Sequence, residues 1–161
     1  VSLVGSVPTG KAILADASTA IKSVLLELGG KNPLIVCPDT DVDFAVATAV
    51  KGMNLTWTAG QSCGSTSRLL VHESLYADVV EGVTEAFRQL KLGIPSHLQT
   101  EMGCLTTGPH FEKVKEYWRS GLEQAPKMPI GGIPIHSLIR EGYFTGQSVS
   151  TNVYPRFRTA T

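Results

Sequence analysis

Apolar residues recur along this chain with two different periods, and the switching between them predicts its elements. Leu75–Leu90 carries Val79, Val83, Ala86, Phe87 and Leu90 at i, i+3 and i+4 spacings, the stripe of an amphipathic helix. Phe111–Gln124 repeats that pattern, setting Phe111, Val114, Tyr117 and Leu122 against alternating charges. Asp41 can cap a helix that runs through Phe44, Ala45, Ala49 and Gly52 towards Trp57. Ser6 offers a second cap, with Pro8 in the first turn of a helix through Gly10–Ala15. Between these lie short apolar runs of strand length: Val1–Val4, Ser23–Leu28, Pro33–Cys37 and Arg68–His72. Ser23–Leu28 is nearly continuous in apolar residues, which predicts a strand buried on both faces, as in a parallel sheet. Beyond Pro126 the chain turns to Gly/Pro-rich punctuation, and Gly142–Val153 predicts a last strand. Strands alternating with helices make this an α/β chain with a largely parallel sheet.

Composition narrows the class. The 161 residues hold 14 Lys+Arg against 14 Asp+Glu, so nothing suggests nucleic-acid or membrane-surface binding through bulk positive charge. With 42% hydrophobic and 17% charged residues the chain is globular rather than disordered. No apolar run approaches the roughly 20 residues that span a bilayer. The start, Val1-Ser2-Leu3-Val4, has neither an initiator Met nor a secretory signal, and reads as if cut from something longer. Cys37, Cys63 and Cys104 form no CxxC pair, and His72, His97, His110 and His136 have no ligand spacing, so no metal site is expected. Widely spaced cysteines favour a reduced, intracellular setting, and Cys37 and Cys104 read as small buried residues.

Chemistry could live in three places. Gly5-Ser6-Val7-Pro8-Thr9-Gly10 lies between a strand and a helix, where free N–H groups suit a phosphate, although an ordinary βα turn has the same look. Glu27 stands one residue from the end of an apolar strand, in Leu25-Leu26-Glu27-Leu28-Gly29-Gly30-Lys31. Strand ends of open α/β sheets face the ligand crevice, and desolvation there would raise the carboxyl pKa towards that of a general base. The plainer alternative is a surface ion pair with Lys22 or Lys31. Gly60-Gln61-Ser62-Cys63-Gly64-Ser65-Thr66-Ser67-Arg68 puts a cysteine among small residues, where a thiolate would be accessible, unless Cys63 is merely a small core residue.

These motifs, in this order, resemble the NAD(P)-dependent aldehyde dehydrogenase superfamily. Leu26-Glu27-Leu28-Gly29-Gly30-Lys31-Asn32-Pro33 is similar to its glutamate motif, and Gly60-Gln61-Ser62-Cys63 with Ser67-Arg68 to its cysteine motif. Gly5-Ser6 with Gly10 is similar to its pyrophosphate loop, and Asp39-Thr40-Asp41-Val42-Asp43 to the acidic stretch between the catalytic motifs. A looser likeness continues through Met102-Gly103-Cys104-Leu105 to Gly142-Tyr143-Phe144.

The resemblance implies the end of a Rossmann-like nucleotide-binding domain over residues 1–28, then a partial α/β catalytic domain over 29–161, truncated at both ends. It implies that Cys63 attacks an aldehyde to give a thiohemiacetal, that hydride transfer to the nicotinamide leaves a thioester, and that Glu27 activates the hydrolytic water. NAD or NADP would meet Gly5, Ser6 and Gly10 at the pyrophosphate, and Leu28 and Gly29 near the nicotinamide. The oxyanion asparagine would lie upstream of Val1, and the ribose-contacting motif and oligomerisation strand beyond Thr161. The parent would be a cytoplasmic homo-oligomer, a dimer or tetramer. Trp57 and Leu55 would line the aldehyde tunnel, unless they serve core packing. Glu27 and Cys63 stand 36 positions apart, a residue or two more than is usual in the family, with the excess in Trp57-Thr58-Ala59-Gly60. The tail Tyr154-Pro155-Arg156-Phe157-Arg158 has no counterpart in the family pattern. A catalytically inactive fragment or degenerate copy without cofactor binding is the competing expectation. A cysteine hydrolase pairing Cys63 with His72 or His110 is a third.

Overall fold

The computed structural model describes residues 1–124, 127–131, 142–151 and 153. Strand β1 (Ser2–Gly5) leads into helix α1 (Val7–Ser18), which returns the chain to β2 (Leu25–Leu28), parallel to β1 with Val4 beside Glu27 and Gly5 beside Leu28. The predicted cap is in place: the Ser6 hydroxyl accepts from Thr9 N–H, and Pro8 occupies the first turn, where no intrahelical donor is lost. Strand β3 (Pro33–Val36) follows, then α2 (Val42–Gly52), capped by Asp41, whose Oδ1 accepts from Phe44 N–H at 2.8 Å. A one-turn helix α3 (Leu55–Thr58) precedes the cysteine loop and β4 (Arg68–Val71), parallel to β3.

A 3-10 turn at Glu73–Leu75 starts α4 (Tyr76–Gln89), and α5 (Gly108–Gln124) begins three residues before the stripe that predicts it. The described chain ends in β5 (Lys127–Ile130) and β6 (Val149–Thr151), which pair antiparallel. That pairing departs from the expected parallel sheet. Proline at 126 and a Pro inside β5 give no strand signal, and only the tertiary pairing with β6 reveals the strand. The tail Tyr154–Arg158 lies outside the described residues.

The core is where α2 and α4 lie against β3 and β4. Val36, Ala45, Ala49, Leu55, Val79, Val83, Phe87 and Met102 form its buried centre, and Leu34, Leu69 and Val71 reach it from the strands. Alanines on α2 and Gly82 on α4 let the two helices approach closely, with the position a Cβ would take at Gly82 only 2.6 Å from Val46 Cγ2. Residues of β1, α1 and β2 take no part in this cluster. They pack among themselves, with Gly10 of α1 pressed on Leu28 and Leu26.

The strands correct one expectation. Burial along β2 alternates, with Leu25 and Glu27 exposed and Leu26 and Leu28 half-buried, so the strand is covered on one face only. The reason is layering: α1 covers the face that holds Leu3, Leu26 and Leu28, and the described residues put nothing of the kind over the other. Strands β3 and β4 alternate likewise, leaving Ile35 and Leu70 outward.

Candidate functional site

The C-terminal ends of β1 and β2 meet at one edge. Gly29 N–H donates to Gly5 C=O at 3.3 Å, so Gly5, Ser6, Leu28 and Gly29 are brought together where the strands give way to loop. Gly29 faces open space on the side where a Cβ would stand, with no atom within 4 Å, and the first turn of α1 holds no acidic residue. The open side of Gly29 and the acid-free first turn of α1 leave the backbone there accessible to an anion.

Gly10 is placed differently from the expectation. It is buried, and a Cβ there would stand 3.0 Å from both Leu28 methyls, so its contribution is close packing of α1 on β2. Glu27 also departs from the expected buried carboxylate. It lies on the outward face of β2, exposed to solvent, because the face opposite α1 is open.

Cys63 occupies the most firmly built part of the site. Ser65 N–H donates to Ser62 C=O at 3.2 Å, closing a turn with Cys63 and Gly64 at its two central positions. The turn exposes Cys63. Its neighbours anchor it: Ser65 is buried, and its hydroxyl donates to Met53 C=O at 3.0 Å. Gln61 Oε1 accepts from both the N–H and the hydroxyl of Thr106, at 3.0 and 2.9 Å, while its Nε2 donates to Thr58 C=O. Asn32 Nδ2 donates to Cys63 C=O at 2.6 Å and to Ser65 C=O at 3.2 Å. Asn32 and Gln61 lie inside the two motifs, and the sequence alone assigns neither a role. The available signal was a polar residue set between Gly-Gly-Lys and Pro at a strand entry, where an amide needs partners.

Ala59 and Gly60 both adopt left-handed backbone, at φ 51° and 77°, and their N–H groups return to Leu55 and Asn54 C=O. These bonds fold the segment back over α3. The same turn separates its apolar residues: Leu55 is 6% exposed within the core, whereas Trp57, two positions on, is 82% exposed. Leu55 thus serves packing, whereas Trp57 is uncovered among the described residues. Cys37, expected in the core, is exposed as well, since β3 ends at Val36 and the chain turns away through Pro38. Cys104 is half-buried.

The looser part of the resemblance also meets in space. Leu105 N–H donates to Tyr143 C=O at 2.9 Å, and the Tyr143 ring lies 5.8 Å from that of Phe111. Among the described residues no group of three His, Cys, Asp or Glu could hold a metal, and no helix is long and apolar enough to cross a membrane.

Lys31 links the two motifs. Its carbonyl accepts from Arg68 Nε at 2.7 Å, and burial, then the positive charge of Arg68, lower its pKa below the ordinary 10.5. With the folded value depressed, the unfolded chain binds more protons between the two values, so stability rises as pH climbs through that window. Lys31→Gln removes the effect. In urea unfolding the variant's advantage over the parent at about pH 7 is expected to shrink by about pH 10, and an unchanged difference would exclude Lys31 as the titrating group.

Comparison with known proteins identifies the family. A model of the aldehyde dehydrogenase family matches residues 1–161. Aldehyde dehydrogenase tropH of Talaromyces stipitatus is 38% identical over 99% of this chain and 32% of its own length. A betaine aldehyde dehydrogenase of Brucella anthropi is 37% identical over 95% of this chain and 31% of its own. The NAD+ complex of an aldehyde dehydrogenase from Bacillus cereus superposes with a TM-score of 0.92 at 33% identity, covering 99% of this chain and 32% of that one. The chain spans about a third of the length of the curated relatives it matches. With a family model matching its whole length and the fold in common, the chain belongs to the aldehyde dehydrogenase family.

Proposed function

We propose that this sequence supplies the nucleophile and general base of an enzyme that oxidises an aldehyde to a carboxylic acid with NAD or NADP. The observation that carries the reading is the exposed Cys63 thiol on a turn whose flanking residues are all anchored. As thiolate, Cys63 adds to the aldehyde carbon, and loss of two electrons and a proton from that carbon leaves a thioester on Cys63. Glu27 takes a proton from the water that attacks the thioester, releasing the acid and freeing the thiol.

The bound dinucleotide would supply the two-electron acceptor. Gly5, Ser6, Leu28 and Gly29 would hold it: the open space at Gly29 and the acid-free first turn of α1 fit an anionic pyrophosphate. Gly10 acts indirectly, by bringing α1 close to β2. The separate packing of β1, α1 and β2 supports a division into the end of a nucleotide-binding domain at residues 1–28 and a catalytic part at 29–161. Three free cysteines among the described residues support a reducing, cytoplasmic compartment. Membership of the family supports a homo-oligomeric enzyme acting on a small aldehyde.

The test is to quench an active enzyme carrying this sequence during turnover and weigh the peptide that holds Cys63. With Glu27→Gln, steady-state turnover is expected to fall about 100-fold or more, while the acylated Cys63 peptide accumulates. Glu27→Gln with no acyl group on Cys63 and unimpaired turnover would sink the proposal.

A further inference from the structure

We propose that Asn32 is a positioning residue, whose side-chain amide fixes the Cys63 turn and ties it to the segment that carries Glu27. The inference rests on the reading of Cys63 as nucleophile. Both partners of Asn32 Nδ2 are carbonyl oxygens, of Cys63 and Ser65, which accept and cannot donate, so the residue at 32 must bring a donor. Holding the Cys63 carbonyl fixes the peptide plane that joins Cys63 to Gly64. On the far side of that plane Gly64 N–H donates to the Ser62 hydroxyl at 3.2 Å, so the turn is gripped from both sides.

The backbone of Asn32 is equally committed. Its carbonyl accepts from Arg68 N–H at 3.1 Å, where β3 meets β4, and Lys31 C=O takes Arg68 Nε at 2.7 Å. Asn32 follows Glu27 by five residues, through Leu28-Gly29-Gly30-Lys31. One residue thereby joins the sheet, the end of the glutamate segment and the cysteine turn. Without its two side-chain bonds the turn keeps its internal bonds and the Ser65 anchor but loses its side-chain tie to the glutamate segment, and a shift of about 1 Å in a reacting atom can cost about 100-fold in rate.

Asn32→Asp tests this in an active enzyme carrying the sequence, because it keeps the side-chain shape but puts acceptors where donors stood. The expected result is a kcat about 10- to 100-fold lower at neutral pH with the aldehyde KM within two-fold. The loss should be smaller at acid pH, where a protonated carboxyl again offers one donor, and grow as it ionises. A kcat within two-fold of the parent overturns the inference. So does a pH-independent loss in which kcat, KM and melting temperature all deteriorate together. If Asn32→Asp does not fold, Asn32→Ser is judged by the same split between kcat and KM. Cys63→Ser, run beside them, separates the two readings: retained turnover there removes the nucleophile itself, whatever Asn32 does.

Discussion

Replacing Cys63 with serine is expected to lower aldehyde oxidation by on the order of 10⁴-fold or more, leaving dinucleotide affinity almost unchanged. A thiolate is a far stronger nucleophile than a serine hydroxyl, which stays protonated in the same place. Serine fits the turn, since Ser62 and Ser65 already lie beside it and Cys63 is exposed, so the loss would be chemical rather than structural. Steady-state rates, with dinucleotide binding followed by fluorescence, would check it. Turnover within ten-fold of the parent would mean that another group attacks the carbonyl.

The second large effect concerns stability. Phe87 is 3% exposed, at the end of the Val79, Val83, Phe87 stripe of α4, with Val36, Ala45, Ala49, Leu55 and Met102 completing the buried core. Phe87→Ala is expected to destabilise the fold by about 3–5 kcal/mol, through lost burial and the cavity left where α4 meets its neighbours. Its carbonyl also receives the Gln147 side-chain amide, near β6, so slack at this point would reach the last strand. The midpoint of urea unfolding with the slope held constant measures the change, and a loss under about 1 kcal/mol would show that the site collapses to fill the gap.

What could be read in the residues was mostly local. Ser6 and Asp41 cap their helices as their side chains predict, because an N-cap is decided within four residues. The stripe through Val79, Val83 and Phe87 marks its buried face, because a 3.6-residue period has few other uses. The glutamate and cysteine motifs likewise announce the family that the whole-chain match shows. What escaped depends on distant partners. Nothing within Leu25–Leu28 says that only one of its faces is covered, since a continuous apolar run fits either case. The strand at Lys127–Ile130 exists by pairing with Val149–Thr151, some twenty residues further along the chain. The side-chain amide of Asn32 finds its partners about thirty positions away, a distance that no local pattern encodes.

The one-sided cover of the strands has a thermodynamic consequence. Val4 and Leu25 point outward from one sheet, and Ile35 and Leu70 from the other. Such surfaces lower the free energy of any assembly that shields them, so protein concentration acts on this chain as a ligand would. A melting temperature measured for these residues is then a property of the solution as much as of the fold, and it acquires meaning only when quoted with the concentration at which it was taken.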